Sequence, residues 1–252
     1  VCIFSARVSS IANTKIFARN TADGRQFLVY AMQYQANSEL AMILPLPVPA
    51  SGPENAIRFI DLLGYAEFFD DMAKGFILPQ PAGRSIGRLL ANKQTLTVHE
   101  VGSFEASFVP HLGDFARLDA RFRLPEQTWE QLPQYADYGF AVFKLKAGAQ
   151  KIHPMAFEFP RRNPGKLFYP TVHIHDGKVE TQAHFDHTLY CQTAQRQAGW
   201  LFSSADLPML HPSPAARFMD IDRAQGIIDP DGFVQMKNLF GMQANQDIVI
   251  LD

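Results

Sequence analysis

Cysteine and tryptophan are scarce in this chain, at two each in 252 residues. Two thiols do not build a disulfide framework. They leave one bridge open, Cys2 to Cys191, if the compartment is oxidising. Charge is also sparse: 19% of residues are charged, the net charge is -2, and no basic run occurs. That removes the electrostatic footprint of a nucleic-acid surface. The most nearly continuous apolar run, residues 40–50, contains Pro45, Pro47 and Pro49 and is too short to span a bilayer. No charged-then-apolar leader precedes Val1-Cys2-Ile3-Phe4, so a cytoplasmic protein is expected, or a secreted one if an upstream segment has been removed. Residues 83–87 have neither the spacing nor the lysine of a phosphate loop, and no Gly-x-Ser-x-Gly elbow is present. Internal repeats, low-complexity stretches and linkers are absent too, so residues 1–252 are expected to form a single domain.

What the chain does have is 21 Phe, with 17 Pro and 16 Gly. This balance favours strands and turns, and the expected class is α+β, dominated by antiparallel β-sheet with short helices. Residues 15–19 and 25–34 read as strands joined at Asp23-Gly24, a hairpin signal. Residues 40–44 make a third, buried-looking strand that the prolines after it should end. Ile57, Ile60, Leu63, Phe68 and Met72 approximate one helical face, so residues 54–73 are expected to be helical, broken at Gly64. Residues 95–109 alternate like a hairpin around Gly102, with His99 inside a strand as a hydrogen-bonded core or edge residue. Short helices are expected after His111 and after Leu124-Pro125. Strands are expected at 138–146, 152–159 and 246–251, and a loop-rich C-terminal extension at 203–245.

The chemistry concentrates in residues 168–191, which hold four of the eight histidines and Cys191. Asp176-Gly177 predicts a tight hairpin. In that register His173 faces Glu180, about 5 Å apart at Cβ, and His175 lies on the same face. Two imidazoles and a carboxylate so placed suit a divalent transition metal, Zn, Fe, Cu or Mn, with open positions for water or a small-molecule substrate. His184 shares the face but lies about 13 Å along a regular strand from His173. His187 and Cys191, spaced i, i+4, would share one side of a helix begun near Asp186. The metal set is therefore His173, His175 and Glu180, with His184 and His187 in reserve. Asp176 and Asp186 would orient imidazoles, and the metal would activate water or dioxygen. The spacing His-x-His-x4-Glu resembles the first cupin motif, without that motif's upstream glycine.

Two rival readings stand beside the metal. If Val1 is an initiator that is trimmed, Cys2 would be an N-terminal nucleophile whose own amine serves as base, as in an amidohydrolase, with Arg7 or Arg19-Asn20 as a carboxylate anchor. The other rival is a non-catalytic binding or scaffold module. Arg161-Arg162 ahead of a turn could bind an anion.

Several stretches in order, Cys2-Ile3-Phe4, the Asp-Gly turn with its strand, residues 39–47, 98–106, 138–145 and 152–159, resemble a bacterial family filed as domain of unknown function 2330. The resemblance covers about residues 2–170. It implies a bacterial protein and supports the β-rich fold. The family carries no established activity, its members usually have a secretory signal, and the histidine cluster lies beyond the resemblance.

Overall fold

The computed structural model describes residues 3–50, 52–76, 99–101, 105–175, 177–204 and 212–252, with the side chains of 99–101 and 149–152 also outside the description. Cys2, Asp176, the side chain of His99 and the proposed turn at Gly102 therefore lie outside the described residues.

The strands are β1 (Ile3–Phe4), β2 (Ser10–Asn20), β3 (Arg25–Ala36), β4 (Leu40–Leu46), β5 (Arg58–Ile60), β6 (His99–Val101), β7 (Ala106–Val109) and β8 (Gly139–Leu145). They continue with β9 (Gly148–Ile152), β10 (Met155–Pro160), β11 (Lys166–Tyr169), β12 (Gln182–Gln192), β13 (Leu201–Phe202), β14 (Gln235–Ala244) and β15 (Ile248–Leu251). The α-helices are short, α1 (Phe68–Lys74) and α2 (Glu126–Glu130), and the rest of the helix is 3-10 turns. The expected strand-dominated fold is present.

Among the described residues three sheets form: β1-β4-β8-β7, the large β13-β14-β12-β2-β3-β10-β5 with β9 beside β3 and β6 beside β9, and the pair β11-β15. Most pairs are antiparallel, but β12 runs parallel to β2 and β6 parallel to β9. The β2–β3 turn is the one the sequence predicts. Gly24 adopts φ +80° there, a conformation that costs glycine little, and the Thr21 N–H donates to the Arg25 carbonyl at 2.8 Å.

Period-two alternation divides each strand between two faces. Leu28, Tyr30, Met32 and Tyr34 of β3 join Met42 and Leu44 of β4 and Phe157 of β10 in a core between the large and small sheets. Phe17, Phe27 and Val29 face the other way, onto α1 and residues 215–228. The outer face of the small sheet, Ile43, Phe140 and Val142, is covered by Phe115, Phe122, Trp129 and Tyr135 from the short helices.

The structure corrects several local expectations. Residues 54–73 are not a broken helix: Arg58–Ile60 pairs with β10, because Glu158 on β10 binds both Arg58 and Arg25. Only residues 68–74 become α-helix. Strands β6 and β7 do not make a hairpin, since β6 pairs with β9 and β7 with β8. β4 continues through Pro45, opposite Phe140. Residues 186–192 belong to β12 rather than a helix, and the supposedly loop-rich 203–245 contains β14, paired with nearly all of β12.

Candidate functional site

Residues 170–175 pass from β11 along β1 toward β12, suspended from two polar side chains. Asp247 Oδ1 accepts the backbone N–H groups of Thr171 at 2.8 Å and Val172 at 3.2 Å. Asn245 brackets the next residue: its Oδ1 accepts the His173 N–H at 2.7 Å, and its Nδ2 donates to the His173 carbonyl at 3.0 Å. The same Nδ2 donates to the Glu180 carbonyl at 2.8 Å. Ile174 bridges Ile3, and Val172 and Ile174 enter the apolar layer outside the small sheet. Alternation then turns His173 and His175 the opposite way, toward Phe4, Phe185 and His187.

The result is a stack of imidazoles. His173 lies 5.4 Å from His175 and 5.1 Å from His187 between ring centroids, with interplanar angles of 23° and 26°. Phe185 sits 4.3 Å from His173 and 4.8 Å from His187. His173 and His187 are buried, at 7% and 1% exposure. Near-parallel rings set their in-plane lone pairs side by side, whereas a metal needs them to converge on one point. Glu180 and His184 are exposed. The structure thus brings together His173, His175 and His187, and the expected hairpin pairing of His173 with Glu180 does not form. Among the described residues, no group of three His, Cys, Asp or Glu side chains could hold a metal ion.

Burial explains the electrostatics. Desolvation, with lesser contributions from His175 and His184 nearby, lowers the His173 pKa from its ordinary value to about 2. His187 is lowered further, again chiefly by desolvation. Its Nδ1 accepts the Asp186 backbone N–H at 3.2 Å, which fixes the neutral tautomer protonated at Nε2. The Nε2 atoms of His173 and His187 are buried with no hydrogen-bond partner among the described residues. Asp247 shifts upward to about 6, because burial outweighs the bonds from Tyr135 and the two backbone N–H groups. Cys191 is a free, buried thiol, pushed up to about 12 by burial, so it is no thiolate. Asp186 Oδ2 accepts the Asn13 backbone N–H at 2.9 Å and so braces β2, not an imidazole. Sequence reasoning missed Asn245 and Asp247. A polar pair just ahead of a strand carries no pattern of its own.

No family model matches the chain, and no curated protein matches it. Solved structures do. Baculovirus P35 aligns over 99% of this chain and 99% of its own at 12% identity, with a TM-score of 0.56. The chain shares the fold of P35. P35 in complex with caspase-8 aligns over 95% of this chain and 96% of its own at 11% identity, with a TM-score of 0.49. A mutated P35 after caspase cleavage aligns over 96% and 98% at 14% identity, with a TM-score of 0.46. Two expectations are corrected by these findings. The description as a bacterial metal-binding protein gives way to a whole-length likeness to a viral one. The expected small-molecule substrate is not what P35 is found with, which is caspase-8.

Proposed function

We propose that this chain is a protease-binding protein of the P35 type, with a cysteine protease related to the caspases as its partner. The supporting observation is the likeness to P35 over 99% of both chains, at a TM-score of 0.56. Fold alone does not carry specificity, so the partner is read from what P35 is found with, caspase-8. The finer architecture, one α+β unit built mainly of antiparallel sheet, belongs to the same reading. Its supports are a core shared by the large and small sheets and a predominance of antiparallel pairs.

The experiment is titration of the purified chain into caspase-3, caspase-8 and an arginine-specific cysteine protease, reading residual hydrolysis of a fluorogenic peptide. At least one protease is expected to lose activity in proportion to added chain and to co-elute with it on gel filtration. Full activity of all three, with no co-elution, would overturn the reading.

A further inference from the structure

Behind the turn joining β10 to β11 lies a cavity of about 230 Å³. Tyr138, Phe168 and Val249 supply apolar wall, and Arg161, Arg162 and Lys166 supply cations. The frame is fixed. Gln26 both donates to the Phe168 carbonyl at 2.8 Å and accepts the Phe168 N–H at 3.0 Å. Arg162 lies 5.1 Å over the Tyr138 ring and pairs with Asp137 at 2.9 Å. Arg161 pairs with Asp252, both side chains nearly buried at 6% and 8% exposure.

Three cations thus meet two carboxylates. Lys166 makes no ion pair among the described residues. One charge, that of Lys166, is left for a ligand. The space falls below the roughly 300–1,000 Å³ typical of pockets for whole small molecules and suits a single side chain. Outside it the wall continues. Val249 and Leu251 alternate onto the same face of β15, opposite Phe168 and Lys166, and they stand 50% and 61% exposed. An apolar ledge leading to a one-residue pocket with a net positive rim fits a chain end.

The geometry points to a docking site for the C-terminal residue of a protein partner, an apolar side chain whose free carboxylate meets Lys166. This site is separate from the protease reading, and its test uses no protease, so either can fail alone.

Isothermal titration of the whole chain with acetyl-Ala-Ala-Phe as the free acid is expected to show saturable binding. The C-terminal amide should bind about tenfold more weakly, the loss of one charge-assisted contact. Lys166→Met should weaken the acid to a similar degree. Val249→Trp, which fills the pocket, should abolish binding while the thermal melt shows the variant still folded. Three results would each overturn the proposal: equal binding of acid and amide, no binding of the acid at millimolar concentration, or inorganic phosphate or decanoate binding more tightly than the peptide.

Discussion

The buried imidazole stack is expected to make the fold acid-labile, and the size of the effect follows from the pKa shifts that burial imposes. In the unfolded chain His173 and His187 would titrate near 6.5. In the fold both are held neutral far below that, because their rings are buried among Phe185 and each other. The unfolded chain therefore binds more protons as pH falls below 6.5, and each residue withdraws about 1.4 kcal/mol of stability per pH unit. By pH 5.0 that is about 2 kcal/mol each, or about 4 together. Asp247 works in the opposite direction. Its native pKa of about 6 lies above the carboxylate's ordinary value, so stability is fully present below that ordinary value and is lost as pH rises through 6. Acidification from pH 7.5 to 5.0 recovers about 1.4 kcal/mol there. The net expectation is a loss of about 2–3 kcal/mol, a large part of a typical domain's 5–15.

Urea denaturation at pH 7.5 and 5.0 measures this, with the buried Trp129 and Trp200 as fluorescence reporters. His187→Phe keeps an aromatic ring against His173 and Phe185, and removes one titrating group and one buried unpaired Nε2. Its acid-induced loss should be smaller than that of the parent by about 2 kcal/mol. A parent protein equally stable at both pH values, or a His187→Phe variant with the full pH dependence, would refute the reasoning.

Four further outcomes are expected. Asp247→Asn keeps an acceptor for the Thr171 and Val172 N–H groups, so at pH 7.5 it should lie within about 1 kcal/mol of the parent or above it. Its loss on acidification should be steeper by about 1.4 kcal/mol, read by the same urea titrations. Asp252→Ala strands the nearly buried Arg161 guanidinium and should cost about 3–5 kcal/mol in chemical denaturation. Gly139→Ala places a Cβ 2.7 Å from the Phe108 ring and 2.9 Å from Val48, and overpacking of this kind should lower stability by about 1–3 kcal/mol. Phe157→Ala empties a fully buried position among Phe59, Phe143 and Phe159, for about 3–5 kcal/mol by thermal or urea unfolding.

What could be read in advance, and what could not, depends on where the deciding interaction lies. The β2–β3 hairpin and β10 were legible because turn chemistry and alternation are local, and β8 and β15 because their apolar runs are continuous. The helix expected over 54–73 failed because its apolar spacing is ambiguous over a few residues. The choice fell to Glu158, a hundred residues away, which draws Arg58 to the β10 edge. β14 was hidden in a polar stretch of Gln, Lys and Asn whose strand state is imposed by pairing with β12.

The register assumed for the histidine stretch fails for the same physical reason. Chain density of ligand-type residues measures proximity along the sequence, and register converts it to geometry only if the assumed pairing is right. Here residues 182–192 pair with β14 and β2. Residues 171–173 hang on Asn245 and Asp247, so no local strand pairing aligns His173 with Glu180. The rings that do meet His173 are those of His175, Phe185 and His187, and His173 and His187 are both buried. Burial holds His173 and His187 neutral. Their chemical consequence is then a dependence of stability on pH, which is why the urea titrations above read this cluster more directly than a metal assay does.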